Sequence, residues 1–159
     1  MPFTPFHFPP SLTVSLPLRR YIDIPSFVLA NVAVDLEPLS VMTFKLKYNY
    51  HGYCHTLLGG IIVGLICGFL AYRTRGTLGR LMDLLKIPYE ADLKKMLVSG
   101  VLGVWFHVML DSIIHLDVKP FYPAQYNPLY SIMGHDALYA ACAAMLVPAV
   151  WLYIRARKA

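Results

Sequence analysis

Charge is scarce in this sequence. Asp, Glu, Lys and Arg make up 14% of its 159 residues against 57% hydrophobic, where an ordinary soluble domain is about one quarter charged. With a mean hydropathy of +0.53, the shortage points to lipid, rather than water, around much of the surface. Cysteine is also sparse: Cys54, Cys67 and Cys142 are an odd number without CxxC spacing, which excludes a disulfide framework. Two of them lie inside apolar runs, where a thiol acts as a small hydrophobe. No long polar or low-complexity stretch interrupts the chain, so residues 1–159 read as one domain. The N-terminus, Met1-Pro2-Phe3-Thr4-Pro5-Phe6, lacks the charged start and small-residue cleavage site of a signal peptide and is expected to remain in the mature protein. The net charge of +5 comes without an interleaved basic stripe, which argues against nucleic acid as a partner.

What the sequence does have is apolar length. His55 to Tyr72, Met96 to Ile114 and Ala137 to Ile154 each approach the roughly 20 residues needed to cross a hydrocarbon core. Gly59, Gly60, Gly64 and Gly68 in the first, and Gly100 and Gly103 in the second, allow helices to approach closely. Two shorter stretches, Ser11 to Leu18 and Pro25 to Val34, are punctuated by prolines and predict short helices, buried or partly inserted. The expected fold class is therefore all-α: an integral membrane helical bundle of three long transmembrane helices plus two short N-terminal hydrophobic helices. Leu78, Leu81, Met82, Leu85 and Ile87 alternate with Arg80, Asp83 and Lys86 at helical spacing, predicting an interfacial piece that Pro88 ends. Loops rich in Lys and Arg stay in the cytoplasm. Putting Arg19, Arg20, the 73–95 connection and the C-terminal tail there leaves only Lys45, Lys47 and Lys119 outside, so the C-terminus is expected to be cytoplasmic.

On that topology the six histidines gather at the non-cytoplasmic end. His51 and His55 open the first long helix, His107 and His115 lie in the last turns of the second, His135 precedes the third, and His7 joins them if the first short helix runs inward. Asp35, Glu37, Asp111 and Asp136 fall at the same level. Ionisable groups in or near a bilayer are costly, and are generally paired, metal-bound or functional. His51 and His55, like His107 and Asp111, are four residues apart, a spacing that puts two side chains on one helix face within reach of one ion. Plainer readings exist for each. His7 fits an interfacial residue, Asp35 a helix cap, and His55, His107 and Asp111 a structural hydrogen-bonded pair between helices. His115, His135 and Asp136 fit a helix start as well as a ligand set, and Cys54 fits packing. Tyr48, Tyr50, Tyr53, Tyr122, Tyr126 and Tyr130 cluster on the same side, either as an anchoring belt at the headgroups or as substrate contacts.

These residues resemble the membrane-associated metal-dependent hydrolases of the YdjM type, whose pattern is an early His, an Asp-x-Asp, a His-Arg-Gly-x-Thr-His-Ser stretch and a His-x-x-x-Asp. Here the corresponding residues are His7, Asp35-Leu36-Glu37, His51-Gly52-Tyr53-Cys54-His55-Thr56 and His107-Val108-Met109-Leu110-Asp111. The second acid is Glu37, the Arg is missing, the two histidines stand one residue closer, and Thr56 replaces Ser. The resemblance implies a hydrolase in a bacterial inner (plasma) membrane, with a more distant similarity to helical zinc-dependent phospholipases C.

On this reading His7, Asp35, His51, His55, His107 and Asp111 ligate a divalent metal, and Glu37 or Asp136 takes the proton as general base. Zinc is the first expectation for nitrogen and carboxylate ligands, with manganese or iron as carboxylates come to dominate. The expected substrate is a phosphoester or another ester at the membrane surface, in contact with membrane lipids. Two rival readings use the same histidines to bind haem or a carried metal, or as a structural polar network. The carboxylates favour the hydrolase, since haem needs neither Asp35 nor Asp111.

Overall fold

The computed structural model describes residues 4–157. Met1–Phe3, part of the N-terminus expected to be retained, and Lys158 and Ala159, part of the expected cytoplasmic tail, lie outside the described residues. Among the described residues every regular element is helical. A 3-10 turn, Thr4–His7, leads into α1 (Phe8–Ser15), followed by α2 (Ile24–Ala33) and α3 (Leu36–Thr43). A second 3-10 turn, Tyr53–His55, precedes α4 (Leu57–Arg73) and α5 (Arg75–Leu84), and then come α6 (Leu93–Ile114), α7 (His135–Ala144) and α8 (Leu146–Ala156).

Among the described residues, three helical runs are long and apolar enough to cross a membrane: Ile24–Thr43, Leu93–Ile114 and His135–Ala156. A fourth exists only if α4 and α5, bent by 77° at Thr74, are counted together. The expected span at His55 to Tyr72 is thus a 17-residue helix starting at Leu57, while the stretch from Pro25 belongs to a 20-residue run. The prolines explain the difference. Pro25 and Pro38 sit in the first turns of α2 and α3, where no intrahelical N–H is needed, so they start helices rather than interrupt one. Pro9 and Pro10 likewise open α1, which runs from Phe8 rather than Ser11. The amphipathic piece is α5, which ends at Leu84, ahead of Pro88. Its Met82, with Ile87 beyond its end, is buried against Leu16, Ile24 and Ala156.

Capping fixes where the central helices begin. Asp23, Thr56 and Asp92 each accept a backbone N–H from the third residue onward, at Ser26, Gly59 and Lys95. α4 and α6 then form the most extensive helix contact of the fold. A Cβ on Gly64 would strike the backbone of Val101, and one on Gly100 would strike the Gly64 carbonyl, so only glycine permits this spacing. α2 packs on the neighbouring face of α6: the Asp23 N–H donates to Ser99 Oγ at 2.7 Å and the Asn31 amide to the Gly103 carbonyl at 3.3 Å. Ala30, Val34, Val104, Val108 and Val118 fill the core under the end of the bundle that carries the histidines.

Candidate metal centre

Asp35 stands at the junction of α2 and α3, where residues 34–35 leave the α-helix. α6 supplies His107 and Asp111 one turn apart, with His107 Nε2 3.2 Å from Asp111 Oδ2, as the four-residue spacing predicts. The same Nε2 lies 3.4 Å from Asp35 Oδ1. His7, at the end of the first 3-10 turn, stacks its ring on His107 at 4.2 Å between centroids and brings Nε2 to 3.3 Å from Asp111 Oδ1.

His51 and His55 meet by another route than the one predicted. They do not share a helix: His51 is in a bend and His55 closes the 3-10 turn. Glu37 gathers this segment. Its carboxylate accepts from the Gly52 N–H at 3.0 Å, the Cys54 N–H at 3.2 Å and His55 Nδ1 at 2.8 Å. Because a carboxylate can only accept, the Nδ1 proton of His55 is fixed there, and Nε2 is directed toward Asp111 Oδ2, 4.0 Å away. Burial holds the His55 imidazole below its ordinary pKa despite the Glu37 hydrogen bond, which keeps the ring neutral and its Nε2 lone pair free. His51 repeats the pattern: Nδ1 lies 3.0 Å from both Asp117 oxygens, and Nε2 is 3.7 Å from Asp111 Oδ2.

The Nε2 atoms of His7, His51, His55 and His107 therefore converge on one buried carboxylate at 3.2–4.0 Å. Two donor atoms sharing a tetrahedral ion at about 2.0–2.1 Å stand about 3.3 Å apart, so the spacing of the Nε2 atoms from the Asp111 oxygens suits ligands of a common cation. Asp35, His55, His107 and Asp111, all buried, each offer an atom within 4.8 Å of the others. The Nε2 atoms of His51 and His55 are buried without a hydrogen-bond partner. Buried polar atoms are normally satisfied, and a cation at this point satisfies His55 Nε2 directly, so the donor set fits a divalent metal.

Asp136 is exposed in the first turn of α7 and makes no ion pair with the cluster among the described residues. Exposed His135 stands edge-on to His115, at 6.4 Å between ring centroids. Cys54 packs on the Val104 and Val108 core, and burial, with the Glu37 charge beside it, pushes its thiol up to about 11, so it stays protonated. Tyr48, Tyr50, Tyr53, Tyr126 and Tyr130 are exposed on the same side.

Asp117 is the residue that sequence reasoning missed. Burial alone would raise its pKa, but hydrogen bonds and charge from His51 outweigh that and hold the carboxylate below its usual range. The segment is tied down by the Asn127 amide, which donates to the Ser112 and His115 carbonyls, and by the Leu57 N–H on the Pro120 carbonyl. His115, which caps α6, lies against His51 at 4.4 Å. Beside these residues opens a cavity of about 500 Å³, walled by Val32, Leu36, Leu39 and Met42 and floored by Asp35, His51, His115 and Asp117. Compared with family models, curated proteins and solved structures, the chain matches none.

Proposed function

We propose that this chain is an integral membrane metal-dependent hydrolase acting on a phosphoester or another ester near the membrane surface. The observation that carries the reading is the convergence of imidazole Nε2 atoms on Asp111, with Asp35 completing the donor set. Purely structural polar networks pair their members off, whereas here His51 and His55 direct unpartnered nitrogens at a shared point. The order of motifs, like that of the YdjM-type hydrolases, supports the same reading. Membrane insertion is supported by the apolar runs and by large side chains exposed on the outer faces of α4 and α8, among them Ile62, Ile66, Leu70, Val147 and Trp151. The basic residues of 73–95 and the C-terminal tail favour a cytoplasmic C-terminus with the cluster on the opposite side.

Asp35, His55, His107 and Asp111, with His7 alongside, would hold the ion. When bound there, a divalent metal, zinc first among them, would lower the pKa of a water toward neutrality and would polarise the oxygen under attack. Glu37 orients His55, and the buried rings exclude bulk water. Asp35 and Asp117 border the cavity, so a substrate held there would lie beside the ligand set.

The test is hydrolysis by detergent-purified, metal-reconstituted protein across a panel of phosphoesters, carboxylic esters and phospholipids. Release of product that chelator abolishes and added metal restores is expected. Metal-free protein showing a Soret band after haem addition would overturn the hydrolase in favour of haem binding.

A further inference from the structure

Next to the Asp111 cluster a second set of ligands is left unexplained by it. One atom each of His51, His115 and Asp117 lies within 4.8 Å of the others. They come from separate places in the chain: the loop before α4, the cap of α6, and the segment that follows. The Asp117 carboxylate and His51 Nδ1 are 3.0 Å apart, which a hydrogen bond alone explains. It does not explain His115. Its ring stacks obliquely on His51 at 4.4 Å, and its Nε2 is buried with no hydrogen-bond partner. An imidazole nitrogen withheld from water is satisfied by a proton acceptor, a water or a cation. Of these, only a cation uses all three side chains at once.

We propose that His51, His115 and Asp117 form a second divalent-cation site. It stands beside the first: His51 would give the second ion its Nδ1, its one ring proton then residing on Nε2, which lies on the far side of the ring from Asp117 and 3.7 Å from the acceptor Asp111 Oδ2. The two sites differ in enclosure. The donors of the first are all buried, whereas His115 and Asp117 are only half-buried and, with His51, line the 500 Å³ cavity. Three protein ligands with one side open is the arrangement that lets a zinc-type ion keep a position for water or substrate. The second ion therefore faces the cavity and contacts the ester or phosphate oxygen of whatever binds there, while the first is enclosed. This inference rests on the metal reading of the Asp111 cluster and extends it from one ion to two, with the imidazole of His51 standing between them.

The experiment counts ions. Detergent-purified full-length protein is stripped with chelator, reconstituted with manganese(II), freed of excess metal and assayed for bound manganese per chain. Electron paramagnetic resonance then distinguishes two neighbouring, spin-interacting ions from an isolated one. Wild type is expected to hold about two ions with a coupled spectrum. His115→Ala and Asp117→Asn are each expected to hold about one, with the spectrum of an isolated ion and unchanged helical circular dichroism. Asp117→Asn changes no side-chain volume and serves where His115→Ala disturbs the end of α6. Wild type with one ion that both variants retain overturns the second site and leaves the first standing. Folded variants that lose all metal show a single shared centre and also overturn it. Wild type without any metal overturns both sites together.

Discussion

Replacing Glu37 by Gln tests whether this residue acts by holding His55. The carboxylate accepts three N–H groups, from His55 Nδ1 at 2.8 Å, Gly52 at 3.0 Å and Cys54 at 3.2 Å. Glutamine keeps the shape but offers one accepting oxygen and one donating NH2 group. With its oxygen toward His55, the NH2 group opposes the Cys54 N–H. In the other orientation the NH2 group donates to Nδ1 and drives the imidazole proton to Nε2, the nitrogen directed at Asp111. Both orientations loosen or mis-protonate a ligand. Loss of such a partner weakens metal affinity about 10–100-fold, or about 1.4–2.8 kcal/mol at about 1.4 kcal/mol per tenfold. Competition against a chromophoric chelator on detergent-purified Glu37→Gln and wild type measures this, with circular dichroism as a control for the fold. Affinity within about twofold of wild type in a folded variant would refute the positioning argument. If turnover alone were lost with affinity intact, Glu37 would be the proton acceptor.

Three further outcomes follow from the same geometry. Gly100→Leu drives a side chain into the Gly64 carbonyl, so α4 and α6 must separate. Overpacking costs about 1–3 kcal/mol where a core can relax, and a backbone clash should exceed this, seen as a lower unfolding temperature in detergent, while Gly76→Leu, with open space around its Cβ, should leave it unchanged. Asp23→Ala removes the α2 cap and the acceptor of both the Ser26 N–H and hydroxyl, and should cost about 1–2 kcal/mol in the same assay. Reporter fusions after Ala159 and within Tyr122 to Tyr130 should report cytoplasm and exterior respectively; an external tail would reverse the orientation.

How far the site could be read from the sequence depended on the local structure around each residue. His107 and Asp111 were legible because a four-residue spacing inside an apolar run has one helical meaning, and the structure gives it. His51 and His55 have the same spacing but sit in a bend and a 3-10 turn. They meet because Glu37 and Asp117 pull on their Nδ1 atoms, a long-range effect with no periodic signal. Asp117 was silent for that reason: its partner is 66 residues away, and it follows α6 in a segment without regular structure. The helical class was plain from apolar length. The run from Ile24 to Thr43 extends past the apolar stretch Pro25 to Val34 because Pro38, like Pro25, sits in a helix's first turn, while Asp35 and Glu37 lower the hydropathy where the site is built.

Metal binding by the cluster around Asp111 underlies the proposed hydrolysis. Elemental analysis of detergent-purified protein, before and after reconstitution with zinc, manganese or iron, tests it directly when wild type is compared with folded His55→Ala and His107→Ala. The account predicts stoichiometric metal in wild type and its loss from the Asp111 cluster in both variants. Wild type that remains metal-free after reconstitution would contradict it and leave the histidines as a structural network.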